Sequence, residues 1–549
     1  MKKIGLVLVV MGMLVNGRVN GQAPSWVWAR TATGLIDAAP VATDHSGNVY
    51  ISGNFEGTVY FGSTSITSSS TTSDNSFLAK YDSLGNFLWV MQSTSLVTGG
   101  AICTDNLNNI LVAAYFGGGP LGSFGPVSLT GAAAGSFTLI KFDTNGNFIW
   151  MKSSNQGPAL ITGIATDANN DVCITGWSGN SPLIIATDTF SFPHPGYCVF
   201  IAKFDQSGNY MWSKVGKPTS LVDYPRSSGI AIDGFGNEYI TGYDKSAMVF
   251  GTDTIPNGTL SSHIYLVKFS PSGNFLWGRK SDGNYNEASN SVAVNSFGKV
   301  FITGYSNSTI LYFDTITIAS TDINLHSFIA EYNSSGDIEW VKKSTTPNQA
   351  YSAAADNYGN VLIAGSMQIY PITFGAYTIP CPDTTNYDNS FIMKFNSAGI
   401  AVWGTSIEGG GDDAMDITFD NSNHLYVCGD FENTGGNSLV FSNDTLYSTG
   451  GESLFLAKLY YTQDLAVNEI SKPSPTITLF PNPTSTSFTI TSTDKIESVR
   501  VFNLPGEEVL TITPNNTQST INIIQFSKGI YFAEIKTDKG TERKKVVKE

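Results

Sequence analysis

One phrase recurs along this chain and constrains its folding more than any other feature. It reads FLAKYDSLGNFLW at 77–89, TLIKFDTNGNFIW at 138–150, FIAKFDQSGNYMW at 200–212, YLVKFSPSGNFLW at 265–277, FIAEYNSSGDIEW at 328–340 and FIMKFNSAGIAVW at 391–403. The closing tryptophans, Trp89, Trp150, Trp212, Trp277, Trp340 and Trp403, lie 61, 62, 65, 63 and 63 residues apart, and a step of 61 back from Trp89 lands on Trp28. A second phrase alternates with the first. Its copies are ATDHSGNVYISG (42–53), CTDNLNNILVAA (103–114), ATDANNDVCITG (165–176), AIDGFGNEYITG (231–242), AVNSFGKVFITG (293–304), AADNYGNVLIAG (354–365) and TFDNSNHLYVCG (418–429). Self-similarity at such a period marks an array of one structural unit.

Apolar residues alternate on either side of D-x-x-G-N, the period-two mark of half-buried strands. The Asp accepts backbone N–H bonds and the Gly supplies a positive φ, so each phrase is a predicted hairpin. Two hairpins make a four-stranded unit, and connectors such as MVFGTDTIP (248–256) leave room for a further short one. The array begins with a lone fourth strand around Trp28 and stops at LFLAKLYYTQD (454–464), with no fourth strand after Leu459. An N-terminal strand that completes the last unit closes a ring and removes two sheet edges. The expected fold is therefore all-β, a seven-bladed β-propeller over 22–465 closed by its N-terminal strand. The tryptophans then fill the gaps between neighbouring sheets.

The second phrase resembles the SBBP (seven-bladed β-propeller) repeat of secreted bacterial proteins, quoted as D-x-x-G-N-x-Y-x-x-G. The resemblance covers roughly 24–465 and departs in two places: Ala113 and Ala114 replace the closing Gly region, and Asn295 replaces the Asp. It implies a fold and leaves function open.

Both ends of the chain read as export signals. Lys2 and Lys3 precede an apolar run, Ile4 to Val15, too short to span a bilayer, and Val19 and Gly21 suit cleavage before Gln22. Residues 1–21 are thus a predicted signal peptide, and no later stretch reaches transmembrane length. After a Pro- and Ser-rich linker (466–475), residues 476–549 alternate as strands of an expected small, Ig-like β-sandwich. This tail resembles the C-terminal sorting domain of the type IX secretion pathway in Bacteroidota. The matching residues are Pro481, Asn482 and Pro483, the V-x-V-x-N-x-x-G run from Val499 to Gly506, Gly529-Ile530-Tyr531, and the basic end that includes Lys544 and Lys545. The resemblance implies type IX machinery as a partner. It also implies a secreted or outer-membrane cell-surface location after signal-peptide cleavage, with release or attachment to surface lipopolysaccharide.

The net charge of −15 is concentrated in the body: residues 22–466 hold 17 basic and 36 acidic groups, or −19. Such a body repels phosphate backbones, which excludes nucleic acid as a partner. Five scattered cysteines give neither a disulfide framework nor a metal-ligand spacing. The five histidines show no common repeat position, and no catalytic motif stands out. The repeated Asp raises calcium as a candidate ion, but each turn offers one acid where a cation-enclosing loop needs several. Turn capping is the expected role, with no cofactor and no metal ligands assigned.

The loops from a fourth strand to the next first strand share one face, where propellers place their sites. Asp223, Tyr224, Arg226, Tyr285, Glu287, Asp412 and Asp413 in these loops are candidate ligand-binding residues, an acidic and aromatic rim suited to carbohydrate or calcium. Asp-Thr pairs in four connectors, at Thr189, Thr254, Thr315 and Thr445, resemble the O-glycosylation acceptors of the same phylum and read equally as a repeated turn. The leading functional reading is a non-enzymatic binding or scaffold protein for a glycan, protein or matrix ligand. One alternative is a secreted carbohydrate-active enzyme, a lyase or glycosidase, with its site in the propeller funnel. A second is a structural surface-layer component.

Overall fold

The two phrases fold as the hairpins their turns dictate. Asp44 Oδ1 accepts the backbone N–H groups of Ser46 and Asn48, both at 2.9 Å, and Oδ2 takes the Asn48 amide at 2.7 Å and the Tyr50 hydroxyl at 3.2 Å. Asp233 repeats this set, and Asp105, Asp356 and Asp420 repeat its core. Both oxygens of these carboxylates are thereby engaged in capping their own turns.

The computed structural model describes residues 25–460 and 477–549, except the segments 70–74, 95–96, 117–121, 130–134, 155–158, 180–181, 192–195, 221–222, 257–260, 382–388, 408–411, 433–437, 442–443, 449–451, 505, 507 and 538–539. The expected signal peptide and linker lie outside the described residues. All regular structure among the described residues is β. A unit runs, for example, Ala159–Thr166, Val172–Ser178, Cys198–Phe204 and Tyr210–Pro218, each strand antiparallel to the next. The connectors fold as short hairpins, such as Met248–Phe250 with Asp253–Ile255.

The fold is β-propeller-like. First strands of successive units touch in series, through Val97–Thr104, Ala159–Thr166, Arg226–Ile232, Glu287–Val294, Asn348–Ala355 and Asp412–Phe419. The long strand Trp26–Thr43 touches both ends of that series. It serves two sheets: Trp26–Ala32 pairs with Leu454–Leu459, and Thr33–Thr43 pairs with Val49–Tyr60. Third strands such as Cys198–Phe204, His263–Phe269 and His326–Tyr332 are buried along their whole length, because neighbouring sheets cover both faces.

A bulge explains the closing Gly of the second phrase. Each first strand carries one extra residue, as between Ser227 and Gly229, Ser289 and Ser291, or Ala350 and Ser352. The motif Gly sits opposite. A methyl group at Gly176, Gly242, Gly304 or Gly365 would strike the backbone oxygen of Leu160, Arg226, Ala288 or Gln349. In the second unit the small residues change sides. Ala114 stands in the motif position and faces Gly99, with Gly100 in the bulge.

Tryptophan and lysine form the seams between units. A Cβ on Gly85, Gly208, Gly273, Gly336 or Gly399 would run into the ring of Trp28, Trp150, Trp212, Trp277 or Trp340 from the preceding unit. The indole and the buried lysine of one unit donate to the same turn carbonyl of the next: Trp150 (3.1 Å) and Lys141 (3.2 Å) to Gln206, Trp277 (3.2 Å) and Lys268 (2.9 Å) to Ser334. Trp28 (3.3 Å) and Lys458 (3.2 Å) donate to Ser83 in the same way. The contact of Trp28 and Lys458 with this turn therefore has the chemistry of the other seams.

Each of these lysines also faces the motif Asp, as Lys141 does Asp105 at 2.8 Å. The fifth unit exchanges the charges. Asn295 takes over the cap, Glu331 occupies the lysine position, and Lys299 at the turn pairs with Glu331 at 2.9 Å. Glu331 also receives the Trp340 indole at 2.8 Å, a bond that other units make to a carbonyl.

The tail has its own core of Phe488, Ile490, Val499, Val501, Ala533, Ile535 and Val546. Its long strand Ser487–Phe502 changes partners midway, from Ile477–Phe480 and Asn516–Asn522 to Glu508–Ile512 and Gly529–Thr537. Two of the sorting motifs meet directly. Asn482 donates its amide to the Lys545 carbonyl (2.7 Å) and accepts the Val547 N–H (2.8 Å), locking the Pro-Asn-Pro segment onto the terminal strand. Gly506 takes a positive φ of 86° in its turn, and the Tyr531 hydroxyl donates to Ser527 O at 2.9 Å.

Candidate functional site

The loop candidates separate into buried acids and two clusters that each present an exposed tyrosine. Asp223 is buried, and its carboxylate accepts the Lys245 N–H (3.0 Å) and the Ser246 hydroxyl (2.7 Å), which fastens the loop to the turn after Glu238–Asp244. Glu287 is buried as well, so neither acid lies on the rim that the sequence suggested. Asp412 and Asp413 open the strand Asp412–Phe419 opposite Phe431 and Asp430, and their side chains lie outside the described residues. Tyr224 and Tyr285 are exposed.

Tyr285 and Glu287 flank one assembly at the junction of the fourth and fifth units. Behind it, Glu287 Oε2 meets His263 Nδ1 at 3.0 Å, and Glu287 Oε1 accepts the Ser308 hydroxyl. The other ring nitrogen of His263 faces Asp282 Oδ1 at 3.9 Å, and Asp282 is half-exposed. In front lies an open cleft of about 640 Å³ lined by Ser261, Asp282, Asn284, Tyr285, Asn286 and Tyr312. A second cleft of about 580 Å³ shares Asp282 and includes Arg279, Lys280, Asp314 and Thr315. Asp282 and Tyr312 are cross-strand partners, so the acid and the half-exposed ring project from one rigid edge. The loop beside them is also held: Asn284 Oδ1 accepts the Thr309 N–H at 3.0 Å, and its amide donates to the Thr309 hydroxyl at 2.8 Å.

The buried side of this assembly carries charge. Lys343 donates to Ser308 O at 2.8 Å. Burial pushes its ammonium down to about 8, although Glu287 and Asp322 pull the other way. Between that value and the ordinary 10.5, the unfolded chain still holds a proton that the folded protein has released, so stability rises with pH. Wild type is therefore expected to gain about 2–3 kcal/mol relative to Lys343→Met between pH 7.5 and 10.5, by urea denaturation. A constant difference across that range would contradict the assignment.

Sequence reasoning missed His263, Asp282, Asn284, Asn286 and Tyr312. It also took the histidines as unrelated, whereas His263 and His326 open equivalent third strands, opposite Asp244 and Ser306. Each meets a carboxylate: His326 Nε2 lies 2.8 Å from Asp322. Their common distance of 63 residues, which equals the tryptophan spacing there, was the available signal.

The second cluster joins the exposed Tyr224 and the half-buried Arg226 to two further half-buried residues that the sequence did not single out, Trp177 and Tyr197. The Arg226 guanidinium lies 3.5 Å from the Trp177 ring centroid and 5.0 Å from that of Tyr197, and Tyr197 meets Tyr224 edge-on at 4.7 Å. In the connectors, Thr189, Thr254, Thr315 and Thr445 are all exposed. The preceding Asp444 is anchored by the Ala29 N–H at 2.8 Å, and Asp188 by the Ser213 hydroxyl at 3.0 Å.

Comparison with known proteins decides the tail. Residues 478–549 match the family described as secretion system C-terminal sorting domain. The tail is a type IX sorting domain. It marks the chain for export to the cell surface or medium and for contact with the secretion machinery. Among the described residues no helix is long and apolar enough to cross a membrane. Elsewhere, the chain is 24% identical to an uncharacterized WD repeat-containing protein of Acanthamoeba polyphaga mimivirus, over 61% of this chain and 30% of that protein. It thus spans under a third of that relative's length. Among solved structures, the Neurospora crassa Pan2 WD40 domain covers 80% of this chain and 99% of its own at 8% identity, with a TM-score of 0.38. A Dyadobacter fermentans protein of unknown function covers 79% and 99% at 11% identity, with a TM-score of 0.36. These likenesses are too slight to add to the strand pairing.

Proposed function

We propose that this exported protein is a non-enzymatic binding protein whose body, residues 22–465, is a closed seven-bladed β-propeller of the SBBP type. The pairing of Trp26–Ala32 with Leu454–Leu459 and the shared Ser83 acceptor support closure. In this reading residues 1–21 are removed as a signal peptide, 466–475 link the body to the tail, and 476–549 form an Ig-like β-sandwich, which supports release or attachment at the surface. The ligand is a glycan, held in the cleft at the junction of the fourth and fifth units.

The observation that carries the ligand reading is the cleft lining: Asp282, Asn284, Asn286 and Ser261 beside the half-exposed rings of Tyr285 and Tyr312. Fixed hydrogen-bonding groups and an aromatic face suit a ring bearing hydroxyls above and apolar C–H groups below. Mature protein, residues 22–465, tested on a glycan array is expected to retain a sugar. Tyr285→Ala and Asp282→Asn should each weaken that binding about tenfold or more without lowering Tm. Turnover of the bound sugar would move the protein to the enzyme class. Silence on the array would favour a structural surface-layer role.

A further inference from the structure

We propose a second, independent site around Arg226, one that takes a carboxylate-bearing sugar, a uronic acid set among neutral residues of a glycan. Arg226 stands where the first strand of the fourth unit begins, with its guanidinium face on Trp177 at 3.5 Å. Stacking engages the face of the group and leaves its edge donors to be satisfied in the plane. One of those donors, Nη1, is buried with no hydrogen-bond partner, and no carboxylate pairs with Arg226 among the described residues. The body carries −19, and two buried cations in it are matched by acids: Lys203 lies 3.0 Å from Asp167 and 2.8 Å from Glu238, and Lys280 lies 2.7 Å from Asp244.

A planar carboxylate is the partner whose two oxygens match the guanidinium edge. Tyr224, 51% exposed and braced edge-on by Tyr197, offers a ring beside it for the sugar's C–H face. The negative body selects further. A densely charged polyuronate is repelled at long range, whereas one acid on a neutral chain meets the arginine with little repulsion. This site shares no residue with the Tyr285 cleft, so it stands or falls separately.

The test is calorimetric titration of residues 22–549 with xylotriose carrying one glucuronic acid, with the methyl ester of that compound, and with xylotriose. The acid is expected to bind about tenfold or more tighter than the other two. Arg226→Gln should abolish that preference, and Tyr224→Ala should weaken all three ligands. The Tyr265 hydroxyl bonds to the Arg226 backbone oxygen at 3.0 Å, which Arg226→Gln keeps, and a wild-type Tm would show the fold intact. Equal binding of acid and ester by wild type, or a preference that survives Arg226→Gln, overturns the proposal.

Discussion

Lys203→Met is expected to cost about 3–5 kcal/mol of folding free energy, read as a lower urea midpoint at unchanged slope. Lys203 is almost fully buried between Asp167 at 3.0 Å and Glu238 at 2.8 Å, one acid from its own unit and one from the next. Burial opposes charge on the lysine, but Glu238 and then Asp167 outweigh it and hold the ammonium above the ordinary range. Removing the cation takes from Glu238 the charge that opposes burial, which already pushes its carboxyl up to about 8, and takes from Asp167 its ion-pair partner. Protonation then offers relief: an unpaired buried acid takes up a proton more readily folded than unfolded, so the deficit should narrow as pH falls. The double change Lys203→Met with Glu238→Met should recover most of the loss, because Asp167 keeps its turn N–H groups. A single variant within 1 kcal/mol of wild type would mean that the pair contributes little.

The lysine shows where the sequence is hard to read. Alternation assigns the polar residue of a strand to solvent, and on that rule the Lys of F-x-A-K-F faces water. Here both faces of the third strand are covered, and Lys141, Lys203 and Lys458 lie inside at the seams. Glu238 carried a warning, since the other copies of its phrase place Val, Ile or Leu there. The two departures from the repeat were also visible in the sequence, yet each makes sense only across a pair of strands. Ala114 is tolerated because Gly99 and Gly100 face it, and Asn295 because Lys299 and Glu331 exchange the charge. Hairpins, turn caps and tryptophans were legible because their chemistry is local or recurs at a fixed spacing.

The candidate site was legible only in part, for a different reason. Loop composition gave the exposed Tyr224 and Tyr285, but it gives no sign of which acids turn inward. Asp223 and Glu287 are buried because the turn at Lys245 and Ser246 and the ring of His263 supply their hydrogen bonds, from 22 to 24 residues away. Such partners are not encoded in the loop itself. Nor was the stacking of Arg226 on Trp177, which joins two units.

Trp28→Ala is expected to cost as much as Trp150→Ala, about 3–5 kcal/mol, even though Trp28 belongs to the first strand of the body. Ordinarily a substitution near a chain end is mild, because terminal strands fray and hold few contacts. Here the Trp28 ring is buried to the same degree as Trp150 and rests on Gly85 of the first unit, while its strand pairs with Leu454–Leu459 of the last. Losing it opens a cavity at a seam and loosens the strand that covers that edge. Removal of residues 22–32 should go further, exposing the Leu454–Leu459 edge and producing oligomers by light scattering. A synthetic peptide of residues 25–34 added to the truncated protein should restore the monomer and its Tm, and the same peptide with Trp28→Ala should not. These outcomes separate a closed ring from an open array, in which the N-terminal strand is only a flap. If Trp28→Ala melts with wild type while Trp150→Ala does not, the strand does not close the ring.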